Sequence, residues 1–177
     1  MKNLSISDIR ALQPYYDPKR HLAEDWEGTI IDLLKRDDIP AEDRLWVALH
    51  KEFLTEKILR LFACRCVREV WHLLEDDRSK TAVEVAERYA VGEATAENRR
   101  RARDAAYAAY NDICGTNSAI AAAMWTAADA AGTAARSAAA DVAEAAADEN
   151  AAREKQVKIL IEMLEEDEKT INSNAAA

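Results

Sequence analysis

The sequence predicts an all-α protein, a single-domain antiparallel helical bundle or stack with one or two long alanine-rich helices. Nearly half of the residues between positions 102 and 152 are alanine, the residue with the highest intrinsic helix propensity. Large apolar side chains recur at helical spacing over residues 58–74. Alternating apolar and polar residues, the pattern of a half-buried strand, are nearly absent. Together these observations favour helices packed on helices.

The chain has 177 residues, a length that favours one domain spanning residues 1–177. Large apolar side chains are concentrated early and return after Gln156, so we expect residues 1–92 to supply the main core. Residues 93–170 are expected to form alanine-rich helices, with the C-terminal apolar strip packed on the first half. Residues 171–177 are expected to be a frayed tail.

The first helices follow from their capping residues. Ser5 or Ser7 can cap a short helix that ends before Pro14. An ordered loop should follow over residues 15–23, and a second helix is predicted over residues 25–35.

Pro40 can open a third helix. The fourth helix, over residues 55–74, has an apolar stripe covering more than half of its circumference and is therefore expected to be central. Trp46 and Trp71 are both expected in the core. The third helix is predicted to carry Leu45, Trp46, Leu49 and Phe53.

The second half of the chain is divided by a few polar residues and glycines. A helix over residues 79–91 should be capped by Asp76 or Asp77 and end at Gly92, and Thr95 should open the next, to residue 113. The alanine helix, over residues 117–147, contains Gly132. It could therefore be one continuous helix or two helices that meet at this glycine, and both interpretations stay open. The last helix should begin at Asp148 or Asn150, and its apolar residues are Val157, Leu160, Ile161 and Leu164.

The charge balance restricts the classes of partner. With 33 acidic and 24 basic residues the formal charge is −9, which argues against direct binding of nucleic acid or anionic membranes and allows a basic protein partner. The N-terminal segment has no long apolar region, so we expect no secretory signal. The alanine run contains charged residues, which a bilayer would reject. A bacterial cytoplasmic location is expected.

No constellation of residues indicates catalysis, a cofactor or a metal. Cys64 and Cys66 lie two apart and would point to nearly opposite sides of a helix. No metal-binding histidine spacing, nucleophile elbow or glycine-rich phosphate loop occurs. We therefore expect a protein that is not an enzyme and has no cofactor. The isolated histidines are His21, His50 and His72.

Candidate partner-binding residues come from three places. Trp125 lies in the alanine-rich segment, where few large side chains are available to cover it, and could be a binding hot spot. Arg99 and Arg100 belong to a basic cluster that could contact phosphate or an acidic partner, or form a solvated helix face. The acidic run near the C-terminus could dock on a basic partner, and its residues are Glu162, Glu165, Glu166 and Asp167.

Two segments carry a resemblance to known proteins. The block LRLFACRCVREVWHLLEDDRSKTAVEVAERYAVGEAT, at residues 59–95, and the opening DIRALQPYYDP with AEDWEGT resemble alanine-rich helical proteins of phages, prophages and bacterial genomes. Some of these are immunity proteins of polymorphic toxin systems. The resemblance implies a non-enzymatic protein that binds and neutralises another protein. It brings no catalytic residues.

The leading hypothesis is therefore a protein-binding inhibitor, of the toxin-immunity or phage anti-defence type, that occludes an unidentified bacterial effector or toxin. One alternative is a self-assembling structural helical module, which leaves a homodimer open. Another is an unrecognised small-molecule binder or enzyme, which would need a polar pocket. The residues expected near such a pocket are Tyr15, Tyr16, His21 and Asp25.

Overall fold

The computed structural model describes residues 3–113, 135–144, 146 and 148–175. These residues are predominantly helical, with eight α-helices, two single turns of 3-10 helix and one two-stranded sheet, which confirms the all-α prediction. Trp125 and Gly132 lie outside the described residues. The elements are β1 (Leu4–Ser5), α1 (Ile6–Ala11), β2 (Glu27–Gly28), α2 (Ile30–Leu34), α3 (Ala41–Ala48), α4 (Glu56–Glu69), α5 (Asp77–Ala90), α6 (Ala96–Ile113), α7 (Ala135–Glu144) and α8 (Glu149–Ala175).

The chain divides into two compact units. The N-terminal unit joins Met1–Leu54 with Val157–Ala177, and the central unit is Thr55–Gln156. The C-terminal apolar strip therefore belongs with the first residues of the chain, as expected. The single-domain organisation with a border at residue 92 stays a prediction.

The N-terminal unit begins with a feature that the sequence pattern did not indicate. Strands β1 and β2 pair antiparallel, with Leu4 opposite Gly28 and Ser5 opposite Glu27. Ser5 also caps α1, as predicted, in a reciprocal pair of hydrogen bonds with Asp8. A ladder this short has no periodic signature of its own.

The predicted second helix is wrong in length, because α2 covers only Ile30–Leu34. Gly28 is held in the ladder, and Thr29 begins the helix through a capping box with Asp32. Helix α3 starts after Pro40 as predicted but ends at Ala48, so Phe53 lies in the turns that follow. Fully buried side chains of this unit include Leu4, Ile9, Leu33, Leu34, Val47, Leu160 and Leu164.

Helix α4 lies at the centre of its unit, where it contacts both α5 and α7. Phe62, Cys66 and Val67 on this helix are completely buried. The helix ends at Glu69, before the predicted residue 74, and a 3-10 turn over Trp71–Leu73 takes its place.

The prediction that Trp46 and Trp71 belong to the core is wrong, because both are only half-buried. The guanidinium of Arg68 covers the Trp71 ring at 4.0 Å from its centroid. Trp46 makes edge-on contacts with Tyr15 and His50. Both indoles therefore pack against polar or amphipathic neighbours, which suits a ring that has one edge exposed to solvent.

Helices α5 and α6 form an antiparallel pair. Arg78 at the start of α5 bonds Asp112 at the end of α6, at 2.8 Å. At the other end, the Arg99 guanidinium lies 5.0 Å from the centroid of the Tyr89 ring. Alanines are buried on both helices, as their spacing predicts, so the two backbones can approach closely. The buried alanines are Ala82, Ala86, Ala102, Ala106 and Ala109.

Gly92 ends α5 as predicted, with a φ of 84°. The amides of Gly92 and Glu93 donate to the carbonyls of Tyr89 and Arg88 at 3.1 and 2.8 Å, which is a Schellman motif. A Cβ at Gly92 would meet nothing within 4 Å, so a substitution here tests the backbone conformation alone.

We expect Gly92→Ala to lower the free energy of unfolding by about 1–2 kcal/mol, because an L-residue is strained at positive φ. Gly92→Asn is the control and should lose less, since asparagine tolerates this conformation. Urea denaturation followed by circular dichroism measures both. Equal stability of the alanine variant and the wild type would contradict the role assigned to Gly92.

Helix α8 begins as predicted, because the Ala151 amide donates to the Asp148 carboxylate at 2.9 Å. It continues to Ala175, into the segment that the sequence predicts to be frayed. The hydroxyls of Thr170 and Ser173 donate to carbonyls one turn earlier, at 2.9 and 2.8 Å. None of the described helices is long and apolar enough to cross a bilayer.

Candidate interaction surfaces

The first candidate surface is the acidic face of α8. Val157, Leu160 and Leu164 are buried in the N-terminal unit and fix the inward side of the helix. Glu162, Glu165 and Glu166 lie on the opposite side, and Glu162 and Glu166 are exposed. The predicted Asp167 is half-buried and follows Leu160 by seven residues and Met163 by four, so it lies on the inward side and does not belong to the same face. We use the name acidic face for Glu162, Glu165 and Glu166.

Glu165 on this face has a partner within its own unit. The Lys35 ammonium bonds the Glu165 carboxylate at 2.8 Å, and the same contact is the largest cause that lowers the pKa of Glu165. It also raises the pKa of Lys35. Glu165 therefore helps to connect α8 with α2, whereas Glu162 and Asp167 make no such bond with any residue that the structure describes.

The position of the acidic face in α8 differs from the sequence expectation. The carboxylates were expected near a helix C-terminus, where the dipole disfavours negative charge. Because α8 continues to Ala175, they lie in the interior of the helix, where that effect is small. Glu162 and Glu166 remain one turn apart, and such like charges repel.

Arg99 and Arg100 lie next to each other in the sequence but make different contacts. The Arg99 guanidinium lies 5.0 Å from the Tyr89 ring centroid, and Arg60 lies 5.1 Å from the same centroid. Arg100 is exposed and bonds Glu97, which also accepts a bond from Arg101 at 2.7 Å. The two predicted residues therefore do not converge on one site.

A second candidate surface lies around the turn between α5 and α6 and was not identified from the sequence. One open groove of about 410 Å³ lies between α5 and α6, and another of about 320 Å³ lies beside α4 and the end of α5. Both grooves are lined by Arg88 and Glu93. We call this pair of grooves the Arg88 surface, whose other lining residues include Leu61, Arg65, Val85, Val91, Arg101 and Ala102.

One sequence signal could have pointed to this surface. Val91 immediately precedes Gly92, and it is 51% exposed although it is apolar. Exposed apolar side chains at the end of a helix are common singly, so only the neighbouring grooves make Val91 informative.

A third cluster gathers aromatic and titratable side chains in the N-terminal unit. The Tyr15 hydroxyl donates a short hydrogen bond to Asp43, a residue that is only 8% exposed. His21 lies 3.9 Å from the same carboxylate, and Tyr16 contacts the rings of Tyr15 and His21. Three residues predicted near a polar pocket thus come together, whereas Asp25 is exposed.

The chemistry of this cluster is that of a hydrogen-bond anchor. Burial and the Asp43 charge raise the pKa of Tyr16 to about 12 and also raise the pKa of Tyr15. Both phenols therefore stay protonated at neutral pH, and Tyr15 can donate to Asp43 but cannot serve as a base. The bond connects the loop that precedes β2 with helix α3.

The cysteines of α4 are buried, as their positions on an apolar helix predict. Burial raises the pKa of Cys64 to about 12 and also raises that of Cys66, so both thiols remain neutral. Within the described ranges, no group of three or more histidine, cysteine, aspartate or glutamate residues is arranged to hold a metal ion.

Comparison with known proteins finds no family model, no curated protein and no solved structure that matches the chain. The relationship to immunity proteins therefore stays a prediction that rests on the two sequence segments quoted above.

Proposed function

We propose that this protein is a non-enzymatic inhibitor, of the toxin-immunity or phage anti-defence type, that occludes a bacterial effector by binding it one to one. The proposed setting is the bacterial cytoplasm. The observation that carries the proposal is the acidic face of α8, where Glu162 and Glu166 are exposed one turn apart and Glu165 is held by Lys35.

The geometry of α8 suits a docking element. Its apolar side is committed to the unit through Val157, Leu160 and Leu164, so the outward side has a defined orientation before any partner arrives. A preorganised helix loses little conformational entropy on binding. The acidic face therefore presents its charges in a fixed pattern along about one turn of helix.

The charge of the face indicates the chemistry of the partner. A basic surface that contacts nucleic acid or another polyanion would be attracted to it, and complementary charge accelerates association and favours the correct partner. An inhibitor that covers such a surface would block the effector without any reaction. Inhibition of this kind needs neither a cofactor nor a catalytic residue.

The test combines capture with a charge-matched control. The tagged chain is used to capture proteins from the bacterial host, with and without phage infection, and the recovered protein is purified for titration. The test variant combines Glu162→Gln and Glu166→Gln. The control removes two exposed carboxylates elsewhere in the N-terminal unit, through Asp37→Asn and Glu52→Gln.

We expect a one-to-one complex in which the test variant binds about tenfold more weakly, because each exposed charge pair contributes roughly 0.2–1 kcal/mol. The control should bind like the wild type, and the wild type should inhibit the partner's activity at equimolar amounts. Equal binding by the test variant would contradict docking through the acidic face. Recovery of the chain alone, with multimers in light scattering, would favour the self-assembling alternative.

A further inference from the structure

We propose that the exposed ring of Tyr15 is the centre of a binding site for an arginine side chain of another protein. The site belongs to a row of aromatic rings in the N-terminal unit, in which Tyr15 lies between Tyr16 and Trp46. The inference goes beyond the proposed function, because it concerns side chains that do not belong to the acidic face of α8.

Tyr15 is oriented differently from most tyrosines on a protein surface. Tyrosine usually packs its ring against apolar surface and leaves its hydroxyl in water. The Tyr15 hydroxyl instead donates to Asp43, which is only 8% exposed, whereas Tyr15 itself is 67% exposed. The surface that Tyr15 shows to solvent therefore comes largely from its ring. A ring that is held by its polar end and left in water is available to a ligand.

The neighbouring rings hold Tyr15 in place. Its ring centroid lies 5.2 Å from that of Tyr16, at an interplanar angle of 72°, and 6.2 Å from that of Trp46, at 90°. Both neighbours are half-buried, and Trp46 belongs to helix α3. Since its hydroxyl is also bonded, Tyr15 has little conformational freedom left to lose when a ligand binds. Tyrosine and tryptophan are among the residues enriched in binding hot spots.

The charges around the ring favour a cationic ligand. Partial burial, the hydrogen bond to Asp43 and the charges of Asp43 and Glu42 all raise the pKa of Tyr15, and no cation in the described part of the chain opposes them. Glu42 is exposed, and its carboxylate forms no ion pair or hydrogen bond with any residue that the structure describes. The ring therefore lies in a negative field.

The cations of α1 and the loop that follows it do not cancel this field. Arg20 is exposed, but its charge is not among those that act on Tyr15. His21 lies 3.9 Å from Asp43 and is charged only when it is protonated. The other two cations form ion pairs with two carboxylates, so their charges balance; these four residues are Arg10, Lys19, Asp17 and Glu24.

An aromatic ring beside a carboxylate suits a guanidinium. The ring face attracts a cation, and arginine also stacks on such rings through its planar group. The protein makes this contact elsewhere, since the Arg68 guanidinium lies 4.0 Å from the centroid of the Trp71 ring. The Glu42 carboxylate can accept hydrogen bonds from the same guanidinium. An apolar ligand would gain nothing from Glu42, and an anionic ligand would be repelled by it.

The test is a nuclear magnetic resonance titration of the full chain with a capped tripeptide in which glycines flank one arginine. We expect saturable shifts of the Trp46 indole N–H and of the Tyr15 and Glu42 amides, with a Kd in the millimolar range. Tyr15→Leu should raise the Kd about three- to fivefold, because an exposed cation–π contact is lost. Glu42→Gln should raise it about twofold, because an exposed charge pair is lost.

Two matched controls should bind the peptide like the wild type. Ile171→Ala changes another apolar side chain of the same unit, which is 59% exposed. Asp37→Asn removes another exposed carboxylate of that unit. Thermal melts verify that each variant is folded. Glu42→Gln changes an exposed side chain, so it provides the test if Tyr15→Leu does not fold.

Two further arms decide the outcome. A peptide with citrulline in place of arginine should cause no saturable shifts, since citrulline keeps the shape of arginine without its charge. The Glu162→Gln and Glu166→Gln variant should bind the arginine peptide like the wild type, which separates this site from the acidic face. The proposal is overturned if the arginine peptide causes no saturable shifts at these groups, or if the citrulline peptide binds equally. It is also overturned if either folded test variant binds like the wild type, or if the acidic-face variant loses the shifts.

Discussion

Replacing Phe62 by alanine is expected to lower the free energy of unfolding by about 3–5 kcal/mol. The Phe62 ring is completely buried on α4, the helix that contacts both α5 and α7 in the central unit. Removing it loses the transfer free energy of the ring and leaves a cavity among side chains that cannot fully collapse. Since small domains are stable by about 5–15 kcal/mol, the loss is a large share of the total.

Urea denaturation followed by circular dichroism measures this change, with Phe62→Leu as the control. Leucine keeps most of the apolar volume, so its cost should be under about 1.5 kcal/mol. Volume-conserving exchanges in a core cost less than about 1.5 kcal/mol. If Phe62→Ala costs no more than that, α4 is not the packing centre of its unit.

The features that the sequence predicted well are those that depend on neighbouring residues. Ser5, Asp76 and Asp148 cap helices where expected, because a cap needs only its own oxygen and an amide two or three residues later. Gly92 ends α5 because positive φ favours glycine. The fourth helix was also identified correctly, since its apolar stripe is strong.

The features that the sequence did not predict depend on residues far apart in the chain. Asp43 is 28 residues from Tyr15, and nothing near either residue signals the hydrogen bond between them. The ladder between β1 and β2 likewise joins segments that carry no strand pattern.

The candidate surfaces show the same division. The acidic run on α8 was visible because its carboxylates are adjacent in sequence. The bond from Lys35 to Glu165 was not visible, because it joins residues 130 positions apart. Arg99 and Arg100 were selected because they are adjacent, although Arg88 is the arginine that both grooves share. A cluster of charged residues in the sequence shows where charge is concentrated, but it does not show which of those residues form ion pairs in the folded protein.

The second large effect concerns the alanines between α5 and α6. Ala106 is completely buried on α6, and its partner helix contributes Ala82 and Ala86 to the same antiparallel pair. Ala106→Leu should lower the free energy of unfolding by about 1–3 kcal/mol, because the larger side chain forces a close-packed contact apart. The intrinsic helix propensity of leucine is near that of alanine, so the loss reports packing.

Ala108→Leu is the matched control, since Ala108 is exposed on the same helix and should tolerate leucine within about 0.5 kcal/mol. Urea denaturation of both variants separates packing from propensity. If Ala106 tolerates leucine as well as Ala108 does, the alanines serve helix formation alone. If only Ala106→Leu is destabilising, the alanines of α6 set the distance between two helices.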